Sequence, residues 1–186
     1  MVKVTAGAVL WDAGKRMASA MRQDPSALAI ESDRRFRFPL PRTVVWRAIN
    51  RVENYPRWWP WLREFDGHAL RAGDVWTCVV QPPVPYALGF ALHIDEVEPG
   101  RVVTAHLRGD IEGTACLELH DRFGGCELRL VSSLAPHSPV LRAAALLARP
   151  MARYGHDWVL DTGARQFVKA AVRAATASAT TSRARR

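Results

Sequence analysis

Residues 113–134 read "GTACLELHDRFGGCELRLVSSL". Two runs of alternating apolar and polar residues flank Gly124-Gly125, the pattern of a β-hairpin. A two-residue loop needs positive φ at both positions, and a Gly-Gly pair supplies it. Pairing Phe123 with Cys126 sets Asp121 opposite Leu128, Leu119 opposite Leu130 and Leu117 opposite Ser132. Arg122 then meets Glu127 and His120 meets Arg129. One face is mostly apolar and the other charged, as an antiparallel sheet covered on one side requires. A three-residue loop would set Leu119 against Arg129 and mix the faces.

Upstream of the hairpin the pattern remains β. "GDVWTCVV" (73–80), "YALGFALHIDEVEP" (86–99) and "RVVTAHLRG" (101–109) are separated by Pro and Gly turns. In the second, Leu88, Phe90, Leu92 and Ile94 share one face, and Ala87, Gly89, Ala91 and His93 the other. Further back, "RRFRFP" (34–39) alternates Phe36 and Phe38 with Arg35 and Arg37, a strand with one buried face. Pro39 and Pro41 end it, and Pro41 can open a helix because its missing N–H has no helical partner there. "TVVWRAINRV" (43–52) places Val45, Ile49 and Val52 on one stripe of a helix of about ten residues. The segment "NYPRWWPW" (54–61) follows, with four aromatic rings in eight residues of a chain that is 9% aromatic. Its prolines suit a stiff corner, with Trp58, Trp59 and Trp61 packed under the sheet or edging a cavity. Direct ligand contact and display as a stacking surface are the alternatives.

Downstream of the hairpin the chain is helical. Ser138-Pro139 supplies a cap and a first residue. From 149 a polar row recurs every four residues: Arg149, Arg153, Asp157, Asp161, Arg165, Lys169 and Arg173. Met151, Gly155, Trp158, Val159, Thr162, Gln166 and Phe167 fall on other faces, and their apolar stripe must cover something. Pro150 predicts a kink or a fresh start.

The chain has 186 residues and a net charge of +8. Residues 173–186 hold four arginines and no acid, while the body, 36–172, balances 16 basic against 14 acidic residues. The basicity belongs largely to a tail, so a phosphate-binding face is not expected and nucleic acid is an improbable partner. Cys78, Cys116 and Cys126 show no CxxC spacing, which argues against zinc and a disulfide framework and for a reducing, cytoplasmic setting. Asp12, Lys15 and Arg16 interrupt the only apolar run near the start, and no stretch approaches the ~20 apolar residues of a membrane span.

No chemical motif stands out. The six histidines (68, 93, 106, 120, 137 and 156) contain no HExxH or other metal-ligand pair. There is no phosphate loop and no GxSxG elbow, so no metal, cofactor or catalytic residue is assigned. Ser132 and Ser133 lie in a strand with no base close in sequence. Glu118 and Glu127 face outward, and Asp121 falls at the solvent-side hairpin tip.

A strand, two short helices, a run of antiparallel strands and one long helix is the order of a helix-grip fold. This is an α+β architecture in which a curved antiparallel β-sheet wraps around the long C-terminal helix. "RFRFPLPRTVVWRAINRVENYPRWWPWL" (35–62) resembles the first strand and helix pair of the START/Bet v 1-like (SRPBCC) superfamily. Within it the chain looks most like the bacterial polyketide cyclase/dehydrase-type proteins. "GTACLELHDRFGGCELRLVSSL" is similar to their last two strands and "ARPMARYGHDWVLDTGARQF" (148–167) to their closing helix. The resemblance spans residues 34–172. Asp24-Pro25-Ser26 breaks a helix that precedes it, and the run after Ala175 is small, polar and basic, so the expected organisation is an N-terminal helical extension over 1–33, the helix-grip domain over 34–175 and a basic flexible tail over 176–186. The resemblance also implies an apolar cavity between sheet and helix.

The expected function is binding of a hydrophobic small molecule, such as a lipid, polyketide or sterol-like compound. Trp59, Trp76, Phe90, Leu92, Leu117, Leu119, Leu130, Trp158 and Phe167 are the expected wall, with His156 as a polar anchor. Periodicity cannot tell lining from filling, so the same residues also fit a closed core. A cyclase or dehydratase acting in the cavity is the alternative, with His156 or His93 as its titratable group. A partner-binding module using the basic tail is a third reading. The oligomeric state is left open.

Overall fold

The structure, a computed structural model, describes residues 28–184. Its elements are β1 (Ile30–Phe38), α1 (Arg42–Ile49), a 3-10 turn (Val52–Asn54), α2 (Tyr55–Trp58), β2 (Leu62–Asp66), β3 (Val75–Val80), β4 (Leu88–Glu98), β5 (Val102–Gly109), β6 (Ile111–Arg122), β7 (Gly125–Pro136), α3 (Pro139–Leu147) and α4 (Arg149–Ala184). The strands form one seven-stranded sheet in the order β1-β7-β6-β5-β4-β3-β2, antiparallel throughout. The sheet curls around α4, which is the helix-grip architecture expected from the sequence.

The hairpin register differs from the expected one. Arg122 pairs with Gly125, Leu119 with Leu128 and Leu117 with Leu130, so the loop is Phe123-Gly124. Each β6 residue meets a partner two positions nearer the turn than expected. Side chains alternate with period two, so the sorting of faces survives the shift. The reason lies outside the hairpin. Only Gly124 adopts the left-handed backbone a tight turn demands, at φ 79°. Gly125 serves close approach instead, because a Cβ there would stand 1.9 Å from the Phe38 carbonyl oxygen where β1 ends.

The expected ten-residue helix is shorter, since α1 stops at Ile49 and Val52 falls in the 3-10 turn, but Val45, Ile49 and Val52 are all buried as the stripe dictates. The aromatic segment is a clasp between α2 and α4. Trp59 Nε1 donates to the Gly163 carbonyl at 3.0 Å, and Trp61 Nε1 donates to Gln166 Oε1 at 2.9 Å. Trp61 also meets Trp158 with ring centroids 6.3 Å apart, and Trp58 meets Phe167 at 5.4 Å. A Cβ on Gly163 would come within 3.2 Å of the Trp61 ring, so glycine lets the indole lie against the helix. These rings pack against the core rather than standing on display.

The helical C-terminal region breaks as Pro150 requires. α3 ends at Leu147 and α4 starts at Arg149, which puts Pro150 in a first turn where its absent N–H costs no bond. β1 begins at Ile30, four residues before the expected domain start. α4 runs to Ala184, past Ala175, through a stretch without a proline or glycine breaker. The expected N-terminal extension lies, over 1–27, outside the described residues.

Candidate functional site

The concave face of the sheet is packed at one end and open at the other. At the packed end Phe38, Ile94, Val103, Leu119, Cys126 and Leu128 meet Val45 and Ile49 of α1 and Phe167 and Ala171 of α4 in one buried cluster. Toward the other end the inward residues of the same strands face a cavity of about 300 Å³. Ile30 of β1, Leu130, Ser132 and Leu134 of β7, Ile111 and Ala115 of β6, and Leu88, Phe90 and Leu92 of β4 line it. Leu141 and Ala145 of α3, and Ala152, Gly155, His156, Val159 and Leu160 of α4, close the opposite side. Leu28, Val80, Pro82, Tyr86, Leu107, Pro136 and Arg149 complete the wall. A volume of about 300 Å³ stands at the lower end of the ~300–1,000 Å³ typical of small-molecule sites.

The structure places the ten expected site residues in two groups. Phe90, Leu92, Leu130 and His156 line the cavity. Trp76, Leu119 and Phe167 lie in the packed cluster, with Trp59 and Leu117 against it, and Trp158 adjoins Trp61. Direction along the strand decides the difference. β6 runs from the cavity into the core, so Ala115 lines the one and Leu119 fills the other, although they share a face. His93 lies on the outer face, its ring stacked on His106 at 4.6 Å, and so does not serve the cavity. The sequence pattern offered parity for the missed lining residues, but nothing that gave their position along the groove.

Polar chemistry in the cavity is sparse. Among the described residues no acidic side chain lines it, and its titratable side chains are Tyr86, Arg149 and His156. Ser132 Oγ and His156 Nε2 are buried without a hydrogen-bond partner. Such atoms are uncommon in native proteins, since each forfeits its hydration without compensation. Ser132 is 5% exposed. It faces Ser32 of β1 in the strand register, whose Oγ is likewise buried and unpartnered. The structure thus brings Ser132 into one cavity with His156, a pairing that their sequence separation concealed.

Burial pushes the His156 imidazole below its ordinary value. Neighbouring Asp157 opposes the shift, while Arg34 and Arg153 reinforce it. Arg34 points inward from β1 and bonds Asp157 at 2.9 Å, tying strand to helix beside the histidine. His156 therefore stands in the cavity as a neutral ring able to accept or donate a hydrogen bond. Burial also raises the Tyr86 hydroxyl, keeping it protonated.

The outer face is structural and charged. Arg129 bridges Asp33 at 2.7 Å and Glu118 at 3.3 Å, and Glu127 lies under Arg122 at 3.0 Å. All three carboxylates are held below their ordinary values, chiefly by hydrogen bonds: Asp33 from Arg129, Glu118 from His120 and Glu127 from Arg122. No helix among the described residues is long and apolar enough to cross a membrane.

A curled antiparallel sheet gripping a long helix, with an apolar cavity between them, defines a helix-grip protein of the START/Bet v 1-like (SRPBCC) superfamily. The chain belongs to the family described as polyketide cyclase / dehydrase and lipid transport, whose sequence profile matches residues 38–153. Its fold is similar to the Zhui aromatase/cyclase from Streptomyces sp. R1128, with TM-score 0.62 and 12% identity over 78% of this chain and 94% of that one. It is also similar to a protein from Thermus thermophilus, with TM-score 0.59 and 12% identity over 76% and 98%. Ara h 8.0201 matches with TM-score 0.55 and 10% identity over 77% and 98%. At these identities the likeness is one of fold. No curated protein matches the chain.

Proposed function

We propose that this protein binds a predominantly apolar small molecule, of lipid, polyketide or sterol-like character, in the cavity between sheet and α4. The observation that carries this reading is the cavity of about 300 Å³, whose wall is almost entirely apolar and includes Ser132 and His156 among its few polar residues. Burial of a bound molecule's hydrocarbon supplies ~25 cal/mol per Å² before ordering costs. The ligand-binding set is then Phe90, Leu92, Leu130, Ser132 and His156. Trp59, Trp76, Leu117, Leu119, Trp158 and Phe167 act from behind, by holding the packed end rigid. Three unbridged cysteines fit a cytoplasmic setting.

Native mass spectrometry of the freshly purified protein, followed by solvent extraction, tests the proposal. A reproducible added mass that extracts as an apolar molecule is the expected result. A clean apo mass, together with no uptake from a panel of lipids and polyketides, would overturn it. Ala115→Phe places a ring in the cavity from a strand that accommodates aromatics. It should lower ligand uptake at least about tenfold with the fold intact.

A second reading, a cyclase or dehydratase, rests on one specific feature. A neutral imidazole in an apolar site is suited to general acid–base work on a bound carbonyl compound. His156→Ala would then abolish turnover of an accepted polyketide while leaving its binding within a few fold. Unchanged turnover removes His156 from any mechanism.

A further inference from the structure

The wall that α3 and the start of α4 contribute to the cavity has an unusual outer side. Of the seven large hydrophobic residues exposed among the described residues, five fall between 140 and 154: Val140, Leu146, Leu147, Met151 and Tyr154. Val140 and Leu147 are 78% and 84% exposed. They stand seven positions apart in α3, two turns along one face. Single apolar residues on a surface need no explanation, but a cluster on one short segment does. Arg149 and Arg153 are exposed among them, and no Asp or Glu occurs between Glu127 and Asp157. Arg153 lies 3.9 Å from Asp157, whose carboxylate is already bonded by Arg34 at 2.9 Å, so the patch is apolar with a cationic excess, on a protein whose body is otherwise nearly neutral.

We propose that α3 and the first turns of α4 dock the protein on an anionic lipid bilayer, with the cavity wall turned toward it. Aliphatic side chains would enter the boundary between headgroups and acyl chains while the arginines meet lipid phosphates. The charge argues against a second copy of this chain as the occupant. A two-fold interface would place Arg149 and Arg153 of both copies together, with Asp157 the adjoining carboxylate and that one already shared with Arg34. Leu141, Ala145 and Ala152 of the same segments line the cavity, so a bilayer on this face would be the phase in which an apolar ligand dissolves. That last link rests on the ligand-binding reading; the docking itself does not.

Co-sedimentation of the full chain with vesicles, without added ligand, tests the docking. Retention on equal mixtures of phosphatidylglycerol and phosphatidylcholine should exceed that on phosphatidylcholine alone by about tenfold, and should fall in high salt as screening removes the arginine contribution. Leu147→Ser/Met151→Ser should weaken retention by about tenfold or more, since each loses an apolar anchor. Neither residue lines the cavity, so thermal unfolding and ligand uptake should be unchanged in that variant. Absence of retention on both vesicle types, or retention undiminished in the double variant, overturns the proposal. So does a dimer that the double substitution dissociates, found without vesicle retention. Because ligand uptake is read separately, docking can fail while the ligand-binding reading stands, and the reverse.

Discussion

His156 shows how one side chain couples the interior to pH. Its ring is held neutral by burial, so the unfolded chain takes up a proton at higher pH than the folded one. Between its ordinary value near 6.5 and its lowered folded value, the unfolded state binds more protons, and stability falls as pH falls. His156→Leu removes that linkage. We expect wild type and variant to be similarly stable at pH 8, with the variant gaining relative stability as pH drops below about 6.5. Parallel stability profiles for the two proteins would sink the assignment. The adjacent Arg34–Asp157 pair is part-exposed, so its own contribution is modest. Sequence alone made His156 legible as a polar residue beside an apolar stripe. It could not show that Ser132 joins it, because one lies mid-strand and the other in a helix that meets the strand only after folding.

The elements divide into those whose pattern fixes their place and those that depend on a neighbour. α1 belongs to the first kind: its stripe is the buried stripe. The β6–β7 hairpin belongs to the second. The glycine pair reads as a two-residue loop until β1 is considered, because Gly125 is held by the approach of Phe38 rather than by the turn. Two substitutions separate these roles. Gly124→Ala meets no atom within 4 Å and bears only the left-handed backbone penalty, about 1–2 kcal/mol. Gly125→Ala drives a methyl into backbone and should cost more, about 3 kcal/mol or above, or displace β1. Denaturant unfolding of both variants decides it, and equal costs would contradict the register described. The same limit explains the wall residues: alternation says which face a leucine takes, while the core-to-cavity boundary along each strand is set by where α1 and the Trp clasp end.

At the scale of the whole molecule the charged outer face makes stability acid-sensitive. Asp33, Glu118 and Glu127 have folded values below their ordinary 3.8, 4.5 and 4.5. Their stabilisation is complete above those ordinary values and is lost as pH falls through the folded ones. A modest decline in stability below about pH 4 is expected, since these pairs stand at the surface. Added salt should weaken the part that depends on Arg129 and Arg122, since these groups stand at the surface. An unfolding midpoint indifferent to pH between 5 and 2 would rule the network out as a contributor.

The pairing of β1 with β7 also governs the timing of folding. Ile30 meets Leu134 and Phe38 meets Cys126, so the first strand of the sheet closes against the last. Contacts this distant in sequence slow folding, because loop-closure entropy is spent before they reward it. On a ribosome adding about 5–20 residues per second, β1 waits several seconds for a partner strand to emerge. The alternating arginines of "RRFRF" then act as gatekeepers, keeping that lone strand from pairing with another chain before its own partner has been made.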